Sequence, residues 1–381
     1  MDSIAAVPSP TPVRARLLAG WHEAPGLEEA WDRLLELSGG GSVFQTLRWQ
    51  QAWWDAFGAG HVLLPVLAYA GARLVGIAPL MASRRRLHFI GSTNHASDYC
   101  EFIIDPEFPG AIGALLDCAS AAAGPFRRID LSHLPAHSPN CAPLLEHLAG
   151  RGVRFRNRIE QVAPARRLGN PEADRRAANK QSLRRHARHF RGAGDLRFDR
   201  PSDEAGVLRY LDAFFEQHVA RWAGTGTPSQ FHDPAQRAFY RGLVHRLLPR
   251  GWLRFDAMLF NGEPIAFHFG FEYRRRFVWY KPAFDVRLAS RSPGEVLIKH
   301  LLEDAIDRDL EEFDFTVGAE SFKFRFANVV RHVARVTAYA SPADYWRDGI
   351  TVAARTAWRR LRRRDPAAVP VAARGLTSAG A

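Results

Sequence analysis

The segment Ser290–Gly318, SRSPGEVLIKHLLEDAIDRDLEEFDFTVG, holds the residues whose order best suits chemistry. Ser292 precedes Pro293 and Gly294, and Glu295 follows. That order predicts a helix start closed by a capping box. The Ser292 hydroxyl accepts from the Glu295 amide, and the Glu295 carboxylate reaches back to the Ser292 amide. Pro293 suits the first helical position, where an N–H would have no intrahelical partner. Gly294 leaves room for a ligand to approach the backbone. Free N–H groups and the partial positive charge of a helix start favour phosphate. The charge contributes only about 0.3–1 kcal/mol, so a phosphate-bearing ligand needs several amides and apolar contacts as well. The same four residues also suffice simply to begin a helix.

Other chemistries are poorly represented. Cys100, Cys118 and Cys141 lack the spacing of a zinc or redox pair and read as free thiols. No HExxH, Walker A or zinc-finger spacing occurs, so no metal is expected. No Ser-His-Asp or Cys-His constellation stands out, which favours direct transfer over a covalent enzyme intermediate. His268, mid-strand, reads as a core histidine.

The 381 residues favour two domains, with 46% hydrophobic and 24% charged residues in the range of a folded, soluble protein. No apolar run approaches the roughly 18–20 residues needed to span a bilayer, and no secretory signal is read at the start, so a cytoplasmic location, with an optional peripheral contact to the inner membrane, is expected. The net charge of +12 suits anionic partners. Much of it lies in Arg175–Arg191 and Arg355–Arg364, which also read as solvated helix faces. The second run ends a basic amphipathic helix, Asp344–Arg364, able to lie on an anionic membrane or to dock on its own domain.

The elements that would position such a site follow from periodicity. Helices are predicted at Leu27–Leu37, Thr46–Phe57, Pro109–Ala123, Ala142–Ala149, Arg175–Arg191, Glu204–Trp222, Pro234–Leu248 and Pro293–Arg308. Strands are predicted at Val62–Ala70, Arg73–Ala82, Arg128–Ser132, Val153–Phe155, Leu253–Phe260, Pro264–Tyr273, Phe277–Phe284, Phe313–Val317 and His332–Tyr339, with Leu87–Gly91 extending the first sheet. Asn261-Gly262 marks a hairpin. Trp49, Trp53 and Trp54 share a helix and read as core. Pro164–Pro171 reads as the join between halves. The halves echo each other: Pro109 to Asp130 and Pro293 to Asp314 are both intervals of 21 positions. Each half then repeats hairpin, strand, helix and strand, predicting two similar mixed α/β sheets.

The second half resembles the acetyltransferase domain of the GNAT superfamily found in CelD/BcsL-type proteins, relatives of Fem-type peptidyltransferases. The resemblance rests on NKQSLRRHARHF, FFEQHVARW, Ser229 before Phe231, NGEPIAFHFGFEY, VWYKPAFD, SPGEVLIKHLLEDAI and FDFTVGAESFKFRFA, in order across about Ala178–Ala327. The first half is similar through VFQTLRWQQAWWDAFG, Ala78-Pro79-Leu80 and Ser97-Asp98-Tyr99.

The resemblance implies an α/β (α+β) fold of two tandem GNAT-like domains, each a mixed sheet flanked by helices. The expected boundaries are a tail at 1–12, domains at 13–165 and 166–343, and a basic helix and tail at 344–381. It implies acetyl-CoA or another acyl-CoA as donor, lying between two splayed central strands. The diphosphate would sit at Ser292, Gly294 and Glu295, with Arg291 and Lys281 nearby. The usual phosphate loop of the superfamily is richer in glycine, and Arg291 substitutes for part of it. Asp314 and Glu320 are the candidate bases, and Tyr280 a proton donor to the leaving thiolate. Asp314, between Phe313 and Phe315, equally suits a structural acceptor for loop amides, and Glu320 a pair with Lys323. His218, Arg221, Trp222 and Lys323 are candidates for the acceptor site. The implied acceptor is a sugar, polysaccharide precursor or other envelope metabolite. A Fem-like use of aminoacyl-tRNA is the alternative, in which the basic helix meets tRNA phosphates; otherwise nucleic acid is not expected. A third reading is a non-catalytic membrane-surface protein using Arg355–Arg364.

Overall fold

The computed structural model describes residues 12–21 and 25–351. All but the last residue of the expected tail at 1–12, and the basic run 355–364, lie outside the described residues. The chain divides into two compact units, 1–160 with 332–340, and 161–331 with 341–381.

The first unit contains β1 (Val13–Leu17), α1 (Leu27–Leu37), α2 (Leu47–Phe57), β2 (Val62–Ala70), β3 (Arg73–Ser83), β4 (Arg86–Phe89), β5 (Ile103–Ile104), α3 (Ala111–Ala122), β6 (Arg128–Pro135) and α4 (Cys141–Gly150). Strand β7 (Phe155–Arg167) leads into the second unit. There follow α5 (Pro171–Ala178), α6 (Gln181–Ala193), β8 (Leu196–Asp199), α7 (Glu204–Trp222), α8 (Pro234–Leu247), β9 (Leu253–Phe260), β10 (Glu263–Tyr273), β11 (Arg276–Phe284), α9 (Pro293–Asp307), β12 (Glu312–Asp314), α10 (Ser321–Phe326) and β13 (Val329–Tyr339).

Each unit has a mixed array of strands flanked by helices, although the strands do not form the two separate sheets expected. In the first unit the strand order is β1-β2-β3-β4-β6-β13, and in the second it is β8-β9-β10-β11-β12-β7. In both, antiparallel hairpins lead through a helix to one parallel neighbour, β4 with β6 and β11 with β12. Each array is completed by an antiparallel strand that the unit's own hairpin region does not supply: β13 beside β6, and the end of β7 beside β12. Residues 332–340 thus rejoin the first unit.

Turn chemistry underlies the repeat. Asn261 and Gly262 both take positive φ, 52° and 85°, as the tight turn between β9 and β10 requires. Arginine pairs at corresponding places also adopt left-handed backbone: Arg84 and Arg85 between β3 and β4, and Arg274 and Arg275 between β10 and β11. The amphipathic stripe of α9 buries Val296, Leu297, Ile298, Leu301, Leu302 and Ala305 against Met258, Phe277, Trp279 and Phe313. Each large side chain so buried contributes about 1.5–3 kcal/mol. In the first unit Trp49 and Trp53 are fully buried, as core residues should be.

Two expectations change. The join expected at Pro164–Pro171 lies inside the second unit, which begins at residue 161: β7 runs to Arg167, and α5 begins at Pro171 under an Asn170 cap. The guanidinium of Arg166 is tied to Asp174 at 2.8 Å and to the Ala173 and Phe326 carbonyls. The single basic helix Arg175–Arg191 is in fact two, because the chain turns extended at Lys180 (ψ 147°). Asn179 holds that break by donating to Glu303 at 3.0 Å.

Candidate active site

In the second unit β11 and β12 pair in parallel at Arg276↔Glu312, Phe277↔Phe313 and Val278↔Asp314. β12 then ends, while β11 continues to Phe284. The chain after β12 follows β7 instead: the Phe315 amide donates to the Pro164 carbonyl and the Gly318 amide to the Val162 carbonyl. The two central strands therefore diverge beyond Val278 and Asp314. Across the vertex one bond remains, from the Thr316 hydroxyl to the Trp279 carbonyl at 3.3 Å.

α9 begins beside the far end of β11. A side-chain carbon placed on Gly294 would lie 3.4 Å from the Phe284 ring, in ordinary contact. Pro293 occupies the first turn as expected, and the Glu295 and Val296 amides both reach the Ser292 carbonyl. The Gly294 amide has no hydrogen bond among the described residues. The capping box, however, does not form. Ser292 is left-handed (φ 55°), and its hydroxyl makes no cap bond. The Glu295 carboxylate turns away to Arg325 and to His186 Nδ1, 3.2 Å away. It is therefore not a ligand for the helix start, and Arg325 offsets its charge. Arg291 is exposed at the end of a short 3-10 turn, Val286–Arg291, and forms no ion pair among the described residues.

A cationic and aromatic cluster flanks the edge of β11 on the α7 side. Arg221 donates to the Pro282 carbonyl at 3.1 Å, and its guanidinium lies 4.8 Å from the Phe284 ring centre. Burial lowers its pKa, and the charge of Glu320 opposes that shift. The Lys281 ammonium lies 4.3 Å above the Tyr280 ring, and Tyr280 stacks on Tyr240. His218 shares a 2.8 Å hydrogen bond with the Ser229 hydroxyl. Burial, and then the charges of Lys281 and Arg221, push its imidazole down to about 3. It is consequently neutral, a hydrogen-bonding group rather than a base. The Trp222 indole stands 6.0 Å from the His218 ring, and its buried N–H has no partner among the described residues. Lys281 thus gathers with His218 and Arg221 rather than with Arg291.

Of the two candidate bases, Asp314 is committed to a turn, its Oδ1 accepting from the Thr316 amide at 2.7 Å. Glu320 is half-exposed and precedes α10. Lys323, buried, bonds the Val317 carbonyl at 2.7 Å and pairs with Glu320 at 3.0 Å. Gly318 takes φ 131°, a conformation that residues with side chains rarely adopt, and an added Cβ would push against the Glu320 and Lys323 side-chain tips.

Sequence reasoning missed a buried ionic group behind β11. Asp256 accepts from Arg200 at 3.0 Å and from Arg254 at 3.4 Å, and both arginines also reach Asp304. Arg254 further donates to Glu272 at 2.9 Å. The signal was present as Arg254 and Asp256 alternating within β9, LRFDAMLF, and His268 on the neighbouring strand. Among the described residues no cluster of His, Cys, Asp or Glu could hold a metal ion.

Residues 177–324 match the sequence family described as acetyltransferase (GNAT) domain. The fold is similar to the crystal structure of FemX (TM-score 0.60, 11% identity, 81% of this chain and 95% of that one). It is also similar to a tandem GNAT protein from the clavulanic acid biosynthesis pathway (TM-score 0.51, 12% identity, 87% and 99%). A third similar structure is the C-terminal domain of a lysylphosphatidylglycerol synthetase from Agrobacterium fabrum (TM-score 0.51, 14% identity, 83% and 92%). A search of curated proteins gives no match. The diverging strands, the helix start beside them and the matched residues lead to one conclusion: residues 177–324 carry a GNAT-type acetyltransferase domain, which supports an acyltransferase.

Proposed function

We propose that the second unit transfers an acyl group directly from acetyl-CoA or another acyl-CoA to a nitrogen or hydroxyl of a sugar, polysaccharide precursor or other envelope metabolite. The observation that carries the donor reading is the parting of β11 and β12 after Val278 and Asp314, with α9 opening beside Phe284. An extended thioester fits between the strands. Its diphosphate lies at the Gly294 amide, near Ser292 and Arg291, where helix start and cation both favour negative charge.

The acceptor approaches from the side of His218, Arg221 and Trp222. Glu320 takes its proton, directly or through one water, and the nitrogen or oxygen bonds to the thioester carbon. The tetrahedral intermediate collapses with cleavage of the C–S bond, and the Tyr280 hydroxyl protonates the departing thiolate. The unpartnered Trp222 N–H and the neutral His218 suit a hydroxyl-rich or amide-bearing acceptor. Lys323 keeps Glu320 in place. Asp314 serves by fixing the turn that lets the strands diverge.

Thermal denaturation with a series of CoA thioesters tests this directly. We expect a rise in Tm that saturates with ligand, equivalent to about 2.7 kcal/mol at one hundred times Kd. No response to any thioester would overturn the donor assignment.

One observation favours a second reading, an aminoacyl-tRNA donor. Arg184, Arg185, Arg188 and Arg191 on α6 are exposed and form no ion pair among the described residues. Binding of tRNA would weaken steeply with salt, whereas acyl-CoA binding would not. A membrane contact has narrower support. No helix among the described residues is long and apolar enough to cross a bilayer, and residues 342–351 form a helix that exposes Trp346 (61%) and Ile350 (71%).

A further inference from the structure

At the vertex of the diverging strands one peptide group is held from both ends. The Trp279 carbonyl accepts from the Thr316 hydroxyl at 3.3 Å. The amide of the next residue, Tyr280, which belongs to the same peptide, donates to His268 Nε2 at 3.4 Å. This peptide lies in a bulge. β10 and β11 pair at Phe269↔Lys281 and Phe271↔Val278, so Trp279 and Tyr280 together oppose Gly270 alone. A bulged amide ordinarily loses its ladder partner, and here an imidazole supplies one.

The imidazole is built into its place. His268 is fully buried (0% exposed) and stacks on Phe277 and Trp279, with ring centres 5.1 and 4.6 Å away. Gly270 makes room for it, since a side chain there would lie 2.2 Å from the His268 ring and 2.3 Å from the Val278 carbonyl. Accepting at Nε2 requires the ring proton to sit on Nδ1. Nδ1 faces Asp256 Oδ2 at 3.8 Å, and neither atom has a hydrogen-bond partner among the described residues. The other oxygen of Asp256 is fixed by Arg200 and Arg254. On the opposite bank, Thr316 is a β-branched residue at φ 58°, an unfavourable conformation that directs its hydroxyl at the Trp279 carbonyl.

We infer that His268, oriented by Asp256, and Thr316 are positioning residues that clamp the Trp279–Tyr280 peptide, so that β11 keeps the parting from β12 in which the acyl donor's thioester lies. None of them touches substrate. The inference rests on the acyl-CoA reading above and adds to it a reason for a buried ion-and-imidazole group directly behind the strand that receives the donor. A histidine placed only to fill the core would need neither the neighbouring glycine nor the aspartate.

The test uses the full chain and acetyl-CoA, following release of the CoA thiol with water as acceptor, and CoA affinity by thermal shift. His268→Phe keeps a ring of similar size but loses the acceptor. We expect kcat to fall about 30-fold while KM and CoA affinity stay within about threefold. His268→Gln, whose amide oxygen can reach the Nε2 position, should recover most of that loss. Thr316→Val, isosteric without the hydroxyl, should lower kcat about tenfold. Asp256→Asn should lower kcat in the parent and change nothing further when added to His268→Gln, because no tautomer remains to be set. With ¹⁵N-tyrosine labelling, the Tyr280 amide resonance, identified through Tyr280→Phe, should shift strongly in His268→Phe. That measurement needs no turnover and also serves if a variant is too unstable for kinetics.

A parent enzyme that neither binds nor cleaves any CoA thioester overturns the donor reading and this inference with it. A responsive parent whose His268→Phe and Thr316→Val variants keep full kcat overturns the inference alone. So does a His268→Gln variant as impaired as His268→Phe, or equal losses of rate and CoA affinity, since either would indicate plain core packing.

Discussion

The two units repeat one topology but treat its central gap in opposite ways. In both, a short parallel pairing marks the middle of the sheet, Arg86↔Arg128 and Leu87↔Ile129 in the first, Arg276↔Glu312 to Val278↔Asp314 in the second. In the second unit β11 runs on past its partner. In the first, β4 stops at Phe89 and the chain's own residues 90–104 follow, with the Cys100 amide on the His133 carbonyl of β6. Glu101 then packs inward, accepting from Ser138 and from Asn140 at 2.8 Å. The helix starts differ likewise. At α3 the amides of Ala111, Ile112 and Gly113 are used by the carbonyls of Phe108, Pro109 and Gly110, whereas at α9 the Gly294 amide is unused. One repeated framework can thus leave the gap between its central strands open or fill it with its own backbone. The choice depends on where a strand ends.

The largest expected effect that would sharpen this contrast lies at Glu320. Glu320→Gln should reduce kcat about 100-fold, the low end for a general base, while the thermal response to CoA persists. Glu101→Gln, a buried carboxylate of the filled half, should leave kcat unchanged. Equal rates for parent and Glu320→Gln would remove Glu320 as base and return the question to Asp314.

Next in size is the helix start. Gly294→Trp should weaken acyl-CoA binding about 30-fold by titration calorimetry, because the added ring occupies the space beside Phe284. Gly110→Trp, where nothing lies within 4 Å of an added Cβ, should bind as the parent does. If both variants bind equally, the groove is not where we place it.

The smallest effect concerns stability. Burial raises the Glu101 pKa from 4.5 to about 7, with Asn140 opposing. The folded state therefore resists ionisation that the unfolded chain accepts. Stability of the first unit should fall as pH rises from about 4.5 to 7 and then level off. Glu101→Gln removes that penalty and should be more stable than the parent by about 2 kcal/mol at pH 8, with no gain below pH 4.5. His218 and His88, pushed down to about 3 and 4, carry the opposite slope. Their contribution is lost as pH falls below about 6.5, in each unit alike. Chemical denaturation of the parent and of Glu101→Gln across pH 4–8 checks the sign; a gain that grows toward low pH would refute it.

Much of the framework was legible in residue order. The hairpin at Asn261-Gly262, the stripe of α9 and the equal intervals from Pro109 to Asp130 and Pro293 to Asp314 are local patterns, and the elements they mark are present. Among the residues grouped by the resemblance, Arg221 bonds the Pro282 carbonyl of β11, His218 stands beside Trp222, Lys281 lies over Tyr280, and Glu320 pairs with Lys323. What could not be read depended on distant partners. Ser292 and Glu295 fit a capping box, yet Arg325 and His186 compete for the carboxylate. Nothing near Asn179 announces a break, because Glu303, far along the chain, holds it. His268 was read as core, which is right as to burial, but its bond to the Tyr280 amide follows from a bulge that periodicity cannot show. The partner of β7 was hidden for the same reason, since alternation gives a strand its faces but not its neighbour.

The return of residues 332–340 to β6 bears on how the molecule is made. A ribosome delivers the first 160 residues long before that closing strand, so the flank of β6 stays unpaired while the remainder is synthesised. Such a bare flank invites association with other nascent chains. Expression of the first half alone, ending near residue 160, would make that interim state permanent.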